Sequence, residues 1–374
     1  MERLAAEIER LKAADRHRTL ALANGRDFTS NDYLGLSRHR ELRRAAVAAM
    51  EANGIVGAGG SRLLRGHHPL HAELEARAAA FFGYPSALYF SSGFLANFAL
   101  FSTLCGRRDA VIFDEYVHAS IKEGLHAAPA ERYRARHNDP NAFEDALQRA
   151  RENGAQELWI AVESVYSMDG DLAPLDALYD LARRYEATLI VDEAHATGIF
   201  GARGRGLGES LPQEGLISVH TGGKALGVAG ALICGSETVI DYLINKARPF
   251  IYSTAPPPML AAALIRALEL IDEEPWRRET LRARTAFAAE ALQRAVGDCV
   301  RFAGSPIIPV ILGKDSRALA VARALQDSGF DVRAIRPPTV PERTARLRIA
   351  FNAEHSEGDI LALAAQLGAA MAAP

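Results

Sequence analysis

Two motifs put an aspartate and a lysine where they could act together. LIVDEAHATGIFG (residues 189–201) is an apolar strand that delivers Asp192 at its C-terminal edge, with His195 just beyond. SVHTGGKALGVAGA (residues 218–231) ends a second strand at His220 and runs through Thr221 and two glycines to Lys224. Open α/β sheets bind their ligands at that edge. A lysine amine in such a turn can form a Schiff base with a carbonyl cofactor. A strand-end carboxylate can keep a pyridine nitrogen protonated, so that the ring accepts electrons. The pair predicts a pyridoxal 5′-phosphate site. The other lysines, Lys12, Lys122, Lys246 and Lys314, sit in helical or turn contexts and read as solvated.

Weaker signals surround these two. FSSGFLAN (90–97) is a strand, a Ser-Ser-Gly turn around Gly93 and Phe94, and a helix start, the kind of N-terminus that binds phosphate. DEYVHAS (114–120) places His118 after a strand, where an imidazole could stack on an aromatic cofactor; read alone, it is a core or turn residue. ESVYSMDGD (163–171) exposes Ser167 after another strand, and IYSTAPPP (251–258) offers Ser253 and Thr254 before a helix. DEAH has no upstream phosphate loop to make it a nucleotide-driven motor, and GAGGSR carries Arg62 where a dinucleotide fingerprint needs its last glycine. His67, His68 and His71 have no accompanying Cys or carboxylate set, so they read as a solvated loop and not as a zinc site.

The elements that must hold these residues alternate. Short apolar strands are predicted at 87–90, 111–114, 158–163, 188–192, 216–220 and 231–234, with helices such as 141–151 and 174–185 between them. Strands this apolar are buried on both faces, so the expected architecture is α/β with a mostly parallel central sheet. The expected division is an N-terminal helix and segment over 1–44, a large domain over 45–272, and a small C-terminal α+β domain over 273–374, on which the N-terminal helix of 3–18 could pack.

Composition excludes several classes. A net charge of −3 over 374 residues argues against a general nucleic-acid or membrane-surface binder. Cys105, Cys234 and Cys299 form no disulfide framework, no apolar run reaches membrane-spanning length, and the opening MERLAAEIERLKAADR is charged where a signal peptide is apolar. A reducing cytoplasm is the expected compartment.

Taken in order, NDYLGL, GGSR, SSGF, HAS, SMDGD, DEAHATG, GKALG, YSTAPPP and RLRIA resemble the α-oxoamine synthase family of fold-type-I pyridoxal phosphate enzymes, from about Arg18 to the C-terminus. The resemblance implies a decarboxylative condensation of an amino acid with an acyl thioester. DYLINKARPFIYST (241–254) and PPTVPERTARLR (337–348) are most similar to the branch that joins L-alanine to a pimeloyl thioester, carried on coenzyme A or on an acyl-carrier protein. Other branches use glycine or serine, or cleave a threonine-derived aminoketone. By position, the resemblance implies Lys224 as the Schiff-base lysine, Asp192 at the pyridine nitrogen, His195 at the ring hydroxyl and His118 on the ring face. It puts Gly93, Phe94, Ser167 and Thr221 around the ring or phosphate, and Ser253 and Thr254 at the phosphate of a partner subunit in a homodimer. It gives Arg348, aided by Asn31, to the amino-acid carboxylate, and Arg18 and Thr339 to the acyl substrate. Many members carry a bulky residue two before the lysine, where this chain has Gly222.

Overall fold

The computed structural model describes residues 1–372. Its larger unit comprises Leu34–Ser167 and Leu172–Arg278. Seven strands form its sheet: β1 (Ser86–Phe90), β2 (Ala110–Asp114), β3 (Glu131–Ala135), β4 (Leu158–Glu163), β5 (Ala187–Asp192), β6 (Leu216–Thr221) and β7 (Ala231–Gly235). Their order across the sheet is β1-β7-β6-β5-β4-β2-β3. The pairings from β6 to β3 are parallel, whereas β7 is antiparallel to both of its neighbours, β6 and β1. Two reversals restore direction, so β1, β2, β4, β5 and β6 all end at one edge.

Leu189, Ile190 and Val191 of β5 are at most 1 % exposed, as full burial on both faces requires. Each contributes roughly 1.5–3 kcal/mol by leaving water. The predicted strands occur within a residue or two of the expected bounds. The sequence reading missed β3, ERYRA, because charges face outward along it. It pairs only with β2, and charge on an edge strand blocks further pairing. Two helices bear on the site: α1 (Gly93–Leu104), which follows β1, and α2 (Ala119–Ala127), which follows β2.

The smaller unit comprises Met1–Tyr33, Met168–Asp171 and the chain from Glu279 onward. Its antiparallel sheet has the order Arg333–Ile335, Ala345–Ala350, Ile307–Gly313, and its core includes Leu347, Ile349, Leu325 and Leu363. The N-terminal helix ends at Ala13, short of the expected residue 18, and buries no residue; Leu4 and Ile8 remain exposed. The segment that does join this core is Arg26–Phe28. Arg26–Asp27 pairs parallel with Phe330–Asp331, and Phe28 is fully buried.

Candidate active site

Strand ends build the site in the larger unit. β1 leads into the Ser91-Ser92-Gly93 turn, β2 is followed by His118, β4 ends in Glu163, β5 in Asp192, and β6 in Thr221, with Lys224 in the loop beyond. All of these line one cavity of about 350 Å³, with Phe94, Asn97, Ser120 and His195 also on its wall. The size suits a small ligand.

At one side of the cavity, Ser92 caps α1, its Oγ accepting from the Leu95 N–H at 3.2 Å. The remaining first-turn amides of a helix attract anions. Gly93 leaves the approach open, since a Cβ there would lie 2.5 Å from Thr221 Cγ2. Thr221 Oγ1 is buried with no hydrogen-bond partner, an acceptor and donor waiting for a polar group.

At the other side, Asp192 is 6 % exposed. Its Oδ1 accepts from the Ala194 N–H at 2.9 Å and its Oδ2 from Asn97 Nδ2 at 2.7 Å. Beside it in the sheet register stands Glu163, 2 % exposed, with Oε2 accepting from the Ser167 N–H at 3.2 Å and Oε1 unpartnered. Burial, with the Asp192 charge adding to it, pushes the Glu163 carboxyl up to about 8. Folding therefore binds a proton on Glu163 between its ordinary pKa of 4.5 and about 8. The associated stability is complete below 4.5 and is lost as pH rises through 8. Glu163→Gln is expected to abolish this loss. Its urea midpoint should gain on that of the native protein between about pH 5 and about pH 9, and a constant gap would refute the assignment.

Glu193, the next residue after Asp192, faces elsewhere. Ser164 Oγ and the N–H groups of Leu207 and Gly208 donate to it, so it ties down the loop after β5. Burial pushes it up to about 7.

The structure brings Lys224, Asp192, His195, His118, Gly93, Phe94 and Thr221 together as the sequence predicted. Ser167 is buried and does not lie on the cavity wall; it reaches the site through its N–H on Glu163. Ser253 and Thr254 line a separate narrow cleft, which shares Ser91 with the cavity. In the smaller unit, Arg348 is 7 % exposed and its Nη2 donates to Asn31 Oδ1 at 2.9 Å. The Tyr33 hydroxyl donates to the same oxygen at 3.0 Å. Arg18 Nη2 donates to Thr339 Oγ1 at 3.1 Å.

Two expectations need correction. Lys122 is not on a solvated face; it is half-buried and Nζ donates to the Glu115 carbonyl at 2.8 Å. The His67–His71 stretch is not a solvated loop either. His71 is fully buried, and with His68 it makes a reciprocal cap on the helix Pro69–Phe82. Gly222 has a physical reason: a Cβ would collide with the Val228 carbonyl and Leu264, because Val228 N–H donates to Gly222 O at 2.9 Å. Sequence reasoning also gave no role to Asn97, Ser120 and Glu163. Asn97 had a signal, being the amide in an otherwise mostly apolar helix, GFLANFALFSTL.

The family model of aminotransferase class I and II matches residues 24–367. The chain belongs to that family, in its α-oxoamine synthase branch. Among curated α-oxoamine synthases, the 8-amino-7-oxononanoate synthase of Anaeromyxobacter dehalogenans is 46 % identical over 347 residues, covering 91 % of this chain and 86 % of that protein. The Geobacter sulfurreducens protein of the same name is 42 % identical, covering 96 % and 95 %. Among solved structures, a serine palmitoyltransferase of S. paucimobilis with bound PLP–myriocin aldimine superposes with a TM-score of 0.90 at 29 % identity, covering 98 % of this chain and 96 % of that one. The 8-amino-7-oxononanoate synthase of Francisella tularensis superposes at 0.78 with 30 % identity, covering 92 % and 97 %.

The residues of the α-oxoamine synthase cavity fit pyridoxal 5′-phosphate. The unpartnered Thr221 hydroxyl and the α1 N-terminus suit the phosphate, Asp192 suits a protonated ring nitrogen, and Lys224 suits the aldehyde. Thr221→Ala is expected to weaken retention of the cofactor about tenfold, from the loss of one hydrogen bond to a charged group. Titration of the cofactor into stripped protein measures this, and an unchanged affinity would count against a phosphate contact there.

Proposed function

We propose that this protein is a pyridoxal phosphate-dependent C-acyltransferase that condenses L-alanine with a pimeloyl thioester. The products are 8-amino-7-oxononanoate, carbon dioxide and the free thiol, in biotin biosynthesis. The observation that carries this reading is the run of curated relatives named 8-amino-7-oxononanoate synthase, 42–46 % identical over most of the chain. The cofactor supplies an electron sink for the pair of electrons left when a bond at the amino-acid α-carbon breaks.

The chain's own residues do the rest. Lys224 would hold the cofactor's aldehyde carbon through Nζ, and the same Nζ, as a free amine, would take the α-proton. Asp192, fixed in place by two hydrogen bonds, keeps the ring nitrogen protonated. His118 covers one ring face, and His195 holds the ring hydroxyl. Thr221 and the α1 amides hold the phosphate, with Gly93 and Phe94 beside it. Ser167 supports this wall through Glu163. Arg348 grips the amino-acid carboxylate with its planar fork, oriented by Asn31. Arg18 and Thr339, already joined to each other, receive the acyl substrate.

The same reading includes a homodimer in which Ser253 and Thr254 serve the partner's phosphate. Val56, Leu64 and Tyr252 support it, being 68 %, 86 % and 74 % exposed in the single chain. Among the described residues no helix is long and apolar enough to cross a membrane. Placement in the cytoplasm, and coenzyme A or an acyl-carrier protein as the thioester carrier, belong to this reading as well.

The deciding experiment is a panel of acyl thioesters, each on both carriers, with L-alanine, glycine and L-serine, read by mass spectrometry. The 8-amino-7-oxononanoate mass with L-alanine alone is the expected result. A preference for serine with a long-chain thioester would favour the serine palmitoyltransferase reading, which the 0.90 superposition keeps in view.

A further inference from the structure

The cavity wall contains a hydrogen-bonded chain from Asp192 to His118 whose two middle members have no role in the proposed chemistry. We propose that Asn97 and Ser120 are positioning residues that hold His118 as its neutral Nε2–H tautomer and link it to the Asp192 carboxylate. This rests on the reading that a pyridine ring sits with its nitrogen at Asp192 and its face on His118.

Donor and acceptor arithmetic decides the direction of every bond. Asn97 is 1 % exposed, and its Nδ2 donates to Asp192 Oδ2 at 2.7 Å and to Ser120 Oγ at 3.0 Å. A side-chain amide has two such hydrogens, and both are used. The flipped amide would set its oxygen against the lone pairs of the Asp192 carboxylate. Asn97 keeps the observed orientation although Oδ1 is left buried without a partner, so Asp192 dictates it.

Ser120 is 1 % exposed. Its Oγ, accepting from Asn97, has its own proton left for His118 Nδ1 at 2.8 Å. The Ser120 backbone N–H donates to the same nitrogen at 3.2 Å. A backbone N–H cannot accept, so Nδ1 is the bare nitrogen and the imidazole proton is on Nε2. His118 is the N-cap of α2, which anchors this geometry to a helix start. Burial acts in the same sense, lowering the pKa of His118 against the pull of Asp192. A neutral imidazole then meets a cationic ring without like-charge repulsion, and the Asp192 charge reaches it through defined dipoles.

The experiment is nitrogen NMR on the full-length, cofactor-loaded protein labelled with 15N-histidine, where long-range 1H–15N spectra report which ring nitrogen carries the proton. His118 is assigned by the signals that vanish in His118→Asn. The native protein is expected to show one neutral Nε2–H form. Ser120→Ala leaves Nδ1 only the longer 3.2 Å backbone bond, and Asn97→Ala frees the Ser120 hydroxyl to accept from an Nδ1–H, so both are expected to show a second, Nδ1-protonated form, whereas Ser120→Thr, which keeps the hydroxyl, retains the single one. A His118 that is cationic or Nδ1-protonated in the native protein overturns the proposal, whatever the variants do. So does a single Nε2–H form that persists in both folded alanine variants. The same spectra on the cofactor-stripped chain separate this question from the proposed activity: an absent visible chromophore would refute the cofactor reading, while the tautomer remains measurable.

Discussion

Lys224→Ala is expected to lower kcat by about 10⁴-fold or more, because the lysine both carries the cofactor and moves the α-proton. The protein should stay folded. The loop around it is held by backbone bonds, Gly222 N–H to Gly230 O at 2.8 Å and Val228 N–H to Gly222 O at 2.9 Å, which the substitution does not touch. Borohydride should then fix no cofactor to the chain, whereas in the native protein the added mass should fall on the peptide with Lys224. Lys122 is the stringent control. It is half-buried, and burial lowers its pKa, which draws its amine toward the neutral form. A normal rate in Lys224→Ala, or trapping at Lys122, would remove the assignment.

Asp192→Asn separates attachment from chemistry. The variant is expected to keep a lysine-bound cofactor, with its visible band, and to lose activity on the order of 10³-fold, the scale of losing one preorganised charge. An amide cannot hold the ring nitrogen protonated as a carboxylate does. It also turns a double acceptor into a mixed group, so one of its two donors, Asn97 Nδ2 or the Ala194 N–H, loses its acceptor. Undiminished turnover with alanine and the thioester would show that Asp192 is not the group that makes the ring an electron sink.

The fold was largely legible because fully buried parallel strands announce themselves as short apolar runs, as LWIAVE and ATLIVD do. The edge strand ERYRA was not legible, since one exposed edge releases it from that pattern. Lys224, Asp192 and Thr221 could be found from motifs because each sits at or just past a strand end, a position visible in one segment. The Asn97–Ser120 link could not, because it needs α1, α2 and β5 to converge, and spacing along the chain carries no record of that meeting. Glu163 lay inside a recognised motif, yet its character comes from Asp192 alongside in the register and from complete burial. Sequence cannot express either.

The reversed strand β7 has a consequence for how reactivity arises during folding. It can enter only between β6 and β1, so the Ser92–Gly93 turn and Thr221 become neighbours only once that late strand closes the gap. The groups for the cofactor are thus scattered over five strand ends, and no partly assembled sheet contains them together. Contacts of such long sequence separation form late. The groups that suit the cofactor therefore meet only in the completed sheet, so a chain that holds the cofactor has all five strand ends in register.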